Sequence, residues 1–255
     1  MHPSGGAGIL GHMQLSGYLD QLSADGTLLA AAASDVSLDA PVPSCPDWTV
    51  RDLITHIGGV HRWAASIVRN AMTENDDATG DQVGTGPGDP QLLEWFREGH
   101  QALLAALRAA SSDLKCFTFL PAPTPLLFWA RRQAHETAIH RVDAQSACGE
   151  VAPFGAEFAC DGIEEMLFGF AARPRPAMSP GTMLLKPDDV GAAWLVTYGG
   201  EGVSGSVVDD GAADARVTGT ASDIYLWLWN RPSAATVSGR ADVAESWQQI
   251  RVRWS

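Results

Sequence analysis

Between Phe128 and Ala144 the chain reads F-W-A-R-R-Q-A-H-E-T-A-I-H-R-V-D-A, dense in groups that can do chemistry and free of proline and glycine. On a helix turning about 100° per residue, Glu136 and His140 lie roughly 40° apart and one turn apart, so both side chains can reach one point in space. That is how one helix offers two ligands to a metal ion. His135 and His140 point about 140° away from each other, and Ile139 stands where an H-E-x-x-H peptidase needs its second histidine. A zinc peptidase of that kind is therefore disfavoured. Taken alone, Glu136 and His140 read more readily as a solvated helix face than as a metal site, because charged side chains are seldom buried. Arg132, Glu136, His140 and Asp143 have the spacing of ordinary side-chain pairs along a helix. His135 suits a structural hydrogen bond or the support of a ligand.

Four helical segments are expected to position these groups. The first runs over 14–33, with Leu15, Tyr18, Leu19, Leu22, Leu28 and Leu29 at helical spacing and Gly26 as a weak point. The stretch P-V-P-S-C-P-D-W-T reads as a turn ending at Thr49, an N-cap with Asp52 at the third helical position. The second helix follows over 50–72 with the stripe Val50, Leu53, Ile54, Ile57, Val60, Ala64 and Ile67, flanked by His56 and Trp63. A polar Asp/Gly/Thr/Asn segment over 73–90 reads as a mobile surface loop. The third helix spans 90–110 with Leu92, Leu93, Phe96, Leu103, Leu104 and Leu107 toward the core, and after P-A-P-T-P the fourth spans 125–147. Four helices of this length make a bundle, which builds metal sites from facing helices.

Past Gly149 the pattern changes. A helical stretch over 157–172 is stopped by R-P-R-P, and strand-like runs follow at 182–185, 192–198, 202–208 and 215–218. A helix from Ser222 through Trp229, a short strand at 236–237 and a closing helix over 242–253 complete a small α+β domain. The expected organisation is thus an added or natural leader over 1–12, a helical domain over 13–149 and an α+β domain over 150–255.

Composition narrows the partners. A formal net charge of -13 repels a phosphate backbone and an anionic membrane surface, so neither nucleic acid nor membrane is expected. No apolar run approaches the roughly 18 residues of a membrane span. Cys45, Cys116, Cys148 and Cys160 are widely spaced without a C-x-x-C pair, which fits a reducing cytoplasm, and nothing at the N-terminus reads as an export signal. Small molecules are the expected partners of a monomer or homodimer.

The segment V-P-S-C-P-D-W-T-V-R-D-L-I-T-H-I-G-G-V-H-R-W-A at 42–64, followed by R-R-Q-A-H-E-T-A-I-H-R-V-D-A, resembles the mycothiol-dependent maleylpyruvate isomerase family. The resemblance implies a DinB-like metal-binding four-helix bundle followed by a small α+β sterol-carrier-like domain, with D-I-Y-L-W-L-W-N-R at 223–231 in the latter. It implies a divalent metal, usually zinc, held by His56, Glu136 and His140. Periodicity alone does not choose His56, since His61 lies nearer the centre of the apolar stripe. The resemblance also implies Arg231 as a substrate-binding residue, although Asn230 stands where a glycine is usual. The implied activity is isomerisation by addition of a thiol, mycothiol in kind, to a cis double bond, rotation and departure of the thiol. S-transfer to a small electrophile is an equal expectation within the family.

Two further readings belong to the same residues: a hydrolase in which metal-bound water attacks, and a non-catalytic protein that binds a small molecule or acyl ligand. Trp48, Trp63, Trp227 and Trp229 are expected in the core, and Cys45 is expected to be a small buried hydrophobe.

Overall fold

The computed structural model describes residues 13–75, 83–171, 179–199 and 202–250, in two units: Gln14–Ala152, and a second that begins at Pro153. The leader 1–12, part of the 73–90 loop, the R-P-R-P stop and the end of the closing helix lie outside the described residues.

The first unit is built on α1 (Leu15–Ser34), α2 (Val50–Asn70), α3 (Asp89–Ala109) and α4 (Pro125–Cys148). Their starts follow the local chemistry. Thr49 accepts from the Asp52 amide while Asp52 accepts from the Thr49 amide, a reciprocal cap that satisfies two exposed donors. Thr124 caps α4 and Pro125 fills its first turn, where a missing N–H costs nothing. The α2 stripe is buried as its periodicity requires, whereas Leu93 on α3 is only half-buried. Gly26, a weak point by helix propensity, has a packing reason. A Cβ there would meet the His100 ring at 2.3 Å, and that ring lies 3.0 Å from the Leu22 carbonyl oxygen.

The α4 helix sits at the centre. It packs on α1, α2 and α3, and every residue from Arg132 to Ala144 is buried. Its charges are therefore not a solvated face; they are neutralised in place. Arg141 donates to Asp25 of α1 at 3.0 Å and to the Gln145 side chain and Ala152 carbonyl oxygen.

Residues 41–49 are not a simple turn. They form a hairpin of β1 (Pro41–Val42) and β2 (Cys45–Thr49), antiparallel and packed on α2 and α4. Prolines are tolerated because a two-stranded ladder leaves each strand one edge that needs no N–H donor.

The second unit opens with α5 (Ala156–Glu164), which widens into a π-helical turn at Glu165–Phe170. A five-stranded sheet follows, made of β3 (Gly181–Pro187), β4 (Ala193–Gly199), β5 (Gly202–Val208), β6 (Ala215–Gly219) and β7 (Thr236–Gly239). The order is β5-β4-β3-β6-β7, with only β3 and β6 parallel. Helices α6 (Ala221–Leu228) and α7 (Ala241–Gln248) complete it, giving the chain an α+β fold with a helical N-terminal part. No described helix is long and apolar enough to cross a membrane.

Asn230, just past α6, has φ of 56°, in the left-handed region where glycine is at ease and asparagine is the next best residue. Its side-chain amide also donates to the Gln248 and Ile250 carbonyl oxygens. Replacing Asn230 with alanine is expected to cost about 1–2 kcal/mol, through the left-handed backbone alone. Chemical denaturation measures it, and an unchanged midpoint would contradict it.

Candidate metal centre

Two elements bring three donors together. The reciprocal cap at Thr49 fixes where α2 begins, and His56 follows two turns later on the side facing α4. There Glu136 and His140 stand one turn apart. Glu136 Oε1 lies 3.7 Å from His56 Nε2 and 3.3 Å from His140 Nε2, and ligand atoms of all three lie within 4.8 Å of one another. A tetrahedral zinc with N and O ligands at its usual bond lengths holds them about 3.3 Å apart, so the spacing fits a bound ion. Among the described residues no other group of three His, Cys, Asp or Glu side chains converges this way.

Each α4 donor is held from behind. The Arg132 guanidinium donates to Glu136 Oε2 at 2.9 Å, leaving Oε1 to face the histidines. His140 Nδ1 lies 3.0 Å from Asp143 Oδ2, which directs Nε2 toward Glu136 and His56. Such partners fix ring orientation and tautomer in metal sites. These are the i, i+4 and i, i+3 spacings expected of surface pairs, yet Arg132 and Asp143 are fully buried.

The electrostatics suit a cation. Burial alone would raise the Glu136 carboxyl, but hydrogen bonds from His140 and His56 and the Arg132 charge hold it well below the usual carboxylate range. Burial would lower His140, but its bonds to Asp143 and Glu136 push it up to about 9. Proton and metal ion compete for the same nitrogen, and the metal takes only the deprotonated form. Zinc affinity should therefore fall as pH drops below about 9, by up to about tenfold per unit. Competition titrations from neutral to alkaline pH check this; a flat affinity would contradict it.

The two candidate histidines of α2 part company. His61 is fully buried, with Nε2 2.8 Å from Thr137 Oγ1 and its ring 5.5 Å from those of Phe96 and His100. Burial keeps its imidazole well below the ordinary pKa, so it serves as a neutral core residue. His56 is half-buried and belongs to the trio.

Four expectations of burial need correction, those for Trp48, Cys45, Trp63 and Trp229, the last of which is half-buried just past α6. Trp48 is not a core tryptophan: it is half-buried, with its ring 4.9 Å from that of His56 and stacked at 6.2 Å on that of His140. Its place on β2 beside α2 explains this, since the hairpin lays one edge over the two histidines. Cys45 is half-buried rather than a buried hydrophobe, with its thiol 3.9 Å from Asp143 Oδ2. Ser44, which the sequence did not single out, donates to Asp143 Oδ1 at 2.5 Å. Trp63 is also half-buried, against Trp129 and Phe119. Arg231 belongs to the second unit, where its guanidinium donates to the Trp229 carbonyl oxygen at 2.9 Å.

Comparison with known proteins agrees in both halves. Residues 19–145 match the model of the mycothiol maleylpyruvate isomerase N-terminal domain, and residues 157–246 match that of the corresponding C-terminal domain. Two crystal structures are similar, one of a mycothiol-dependent maleylpyruvate isomerase and one of a histidine-to-alanine mutant so described. Each has 16% identity over 90% of this chain and 95% of the other, with TM-scores of 0.63 and 0.64. At that identity the likeness speaks for the fold. No curated protein sequence matches the chain.

Proposed function

The chain belongs to the mycothiol-dependent maleylpyruvate isomerase family of enzymes, and we propose that it works with a divalent metal and a low-molecular-weight thiol on a small electrophile. Zinc is the metal proposed, mycothiol the thiol, and isomerisation or S-transfer the reaction. The observation that carries this reading is the convergence of His56, Glu136 and His140, with the two α4 donors braced by Arg132 and Asp143.

A divalent ion held by His56, Glu136 and His140 would leave a position open and would supply the charge that favours the thiolate form of a thiol placed there. The chain's own residues do the rest. Arg132 balances the Glu136 charge and turns Oε1 toward the histidines. Asp143 holds the Nδ1 proton of His140, so the lone pair on Nε2 is the one offered. Trp48 stacks on the His140 ring and lies tilted against that of His56, which shields that side from water. Arg231 is proposed, on the family pattern, to bind an anionic group of the substrate. The reducing cytoplasm is the proposed location, in keeping with four cysteines that carry no disulfide among the described residues.

The test is turnover by zinc-loaded protein given mycothiol and maleylpyruvate, with cis-to-trans conversion followed by NMR and thiol consumption by model electrophiles followed in parallel. Turnover in either arm that needs both zinc and mycothiol is the expected result. Zinc-loaded protein that neither turns over nor saturably binds mycothiol would overturn the proposal.

A further inference from the structure

The β1–β2 hairpin reaches the candidate centre through a chain of hydrogen bonds that the helices do not supply. Ser44, between its two strands, donates to Asp143 Oδ1, and Asp143 Oδ2 faces His140 Nδ1 at 3.0 Å. Both oxygens of a fully buried carboxylate are thereby engaged, with the Cys45 thiol as an additional contact at 3.9 Å. Three successive parts of the hairpin serve the site: Ser44 and Cys45 meet Asp143, Trp48 meets the two histidine rings, and Thr49 caps the helix that carries His56.

We propose that Ser44 and Asp143 are the positioning residues of the centre, with the hairpin fixing the Asp143 carboxylate so that His140 carries its proton on Nδ1 and presents Nε2. This rests on the reading of His56, Glu136 and His140 as metal ligands. The physical argument concerns orientation. An imidazole has two nitrogens, and a carboxylate that accepts from one leaves the lone pair on the other. The orientation of the Asp143 carboxylate thus sets that of the ring, and Ser44 restrains it by donating to the second oxygen from a separate element.

The experiment measures zinc affinity of the full chain by competition with a chromophoric chelator for wild type, Asp143→Asn, Ser44→Ala and Ser44→Thr. In the zinc-loaded protein, nitrogen-15 NMR of His140 reads which ring nitrogen bears the proton, which a purely structural role would not move. Asp143→Asn should weaken zinc about 10- to 100-fold. Ser44→Ala should weaken it about fivefold, the loss of one hydrogen bond, and Ser44→Thr, which keeps the hydroxyl, should restore most of it. Wild type should show the proton on Nδ1. If Asp143→Asn fails to fold, the Ser44 pair carries the test. One zinc bound by wild type and by all variants with equal affinity would overturn the positioning role while leaving the metal reading intact. No zinc in wild type would overturn both.

Discussion

Glu136→Ala is expected to remove metal binding and to destabilise the first unit by about 3–5 kcal/mol, the cost of breaking a buried ion pair by removing one member. The member left behind is Arg132, which is fully buried and 2.9 Å from Glu136. A ligand on a surface helix would show only the first effect, so the second distinguishes this site. Chemical denaturation with both proteins free of metal isolates it from stabilisation by bound zinc. The double substitution Arg132→Met with Glu136→Ala should recover much of the lost stability and none of the metal binding, because the buried guanidinium is gone together with the carboxylate it faced and the donor is still missing. Wild-type stability in Glu136→Ala would mean that Arg132 is neutralised elsewhere.

His56→Ala should have the opposite balance. His56 is half-buried on α2, and the buried Glu136 carboxylate that it leaves keeps His140 and Arg132 beside it. Stability without metal should therefore fall by only about 1 kcal/mol, the order of one hydrogen bond lost while the other partners of Glu136 remain. Zinc affinity and zinc-dependent turnover should fall by more than about 100-fold, since even supporting residues cost up to that much in metal sites. A variant that keeps zinc at wild-type affinity would remove His56 from the ligand set.

Much of the fold is legible in the sequence because its elements carry local signals. The reciprocal cap at Thr49 and Asp52, the Thr124-Pro125 start and the stripe from Val50 to Ile67 each act within a few residues, and the structure places the helices accordingly. The hairpin is less legible. Prolines at 41, 43 and 46 weaken its strand signal, and its pairing with itself leaves no long alternating pattern.

The site is legible only in part, for a different reason. Arg132, Glu136, His140 and Asp143 have spacings that serve a solvated helix and a buried network equally well, and only the burial of α4 among α1, α2 and α3 decides between them. Periodicity points to His61 of α2, because it reports the core face, and His61 lies in the core. Only the motif points to His56, which stands in the candidate trio. Ser44 has no readable signal of its own, because Asp143 is 99 positions away, and of the two ring partners of Trp48 only His56 is near in the chain, His140 being distant.

The central claim is that His56, Glu136 and His140 hold one metal ion. The most direct test is metal content per chain by elemental mass spectrometry, on wild type and His56→Ala, each prepared without chelator or metal-affinity tag and again after reconstitution with zinc. About one equivalent in wild type and almost none in His56→Ala is the result predicted for a three-ligand site. A wild type that takes up no metal, or a His56→Ala variant that keeps its full complement, would contradict it.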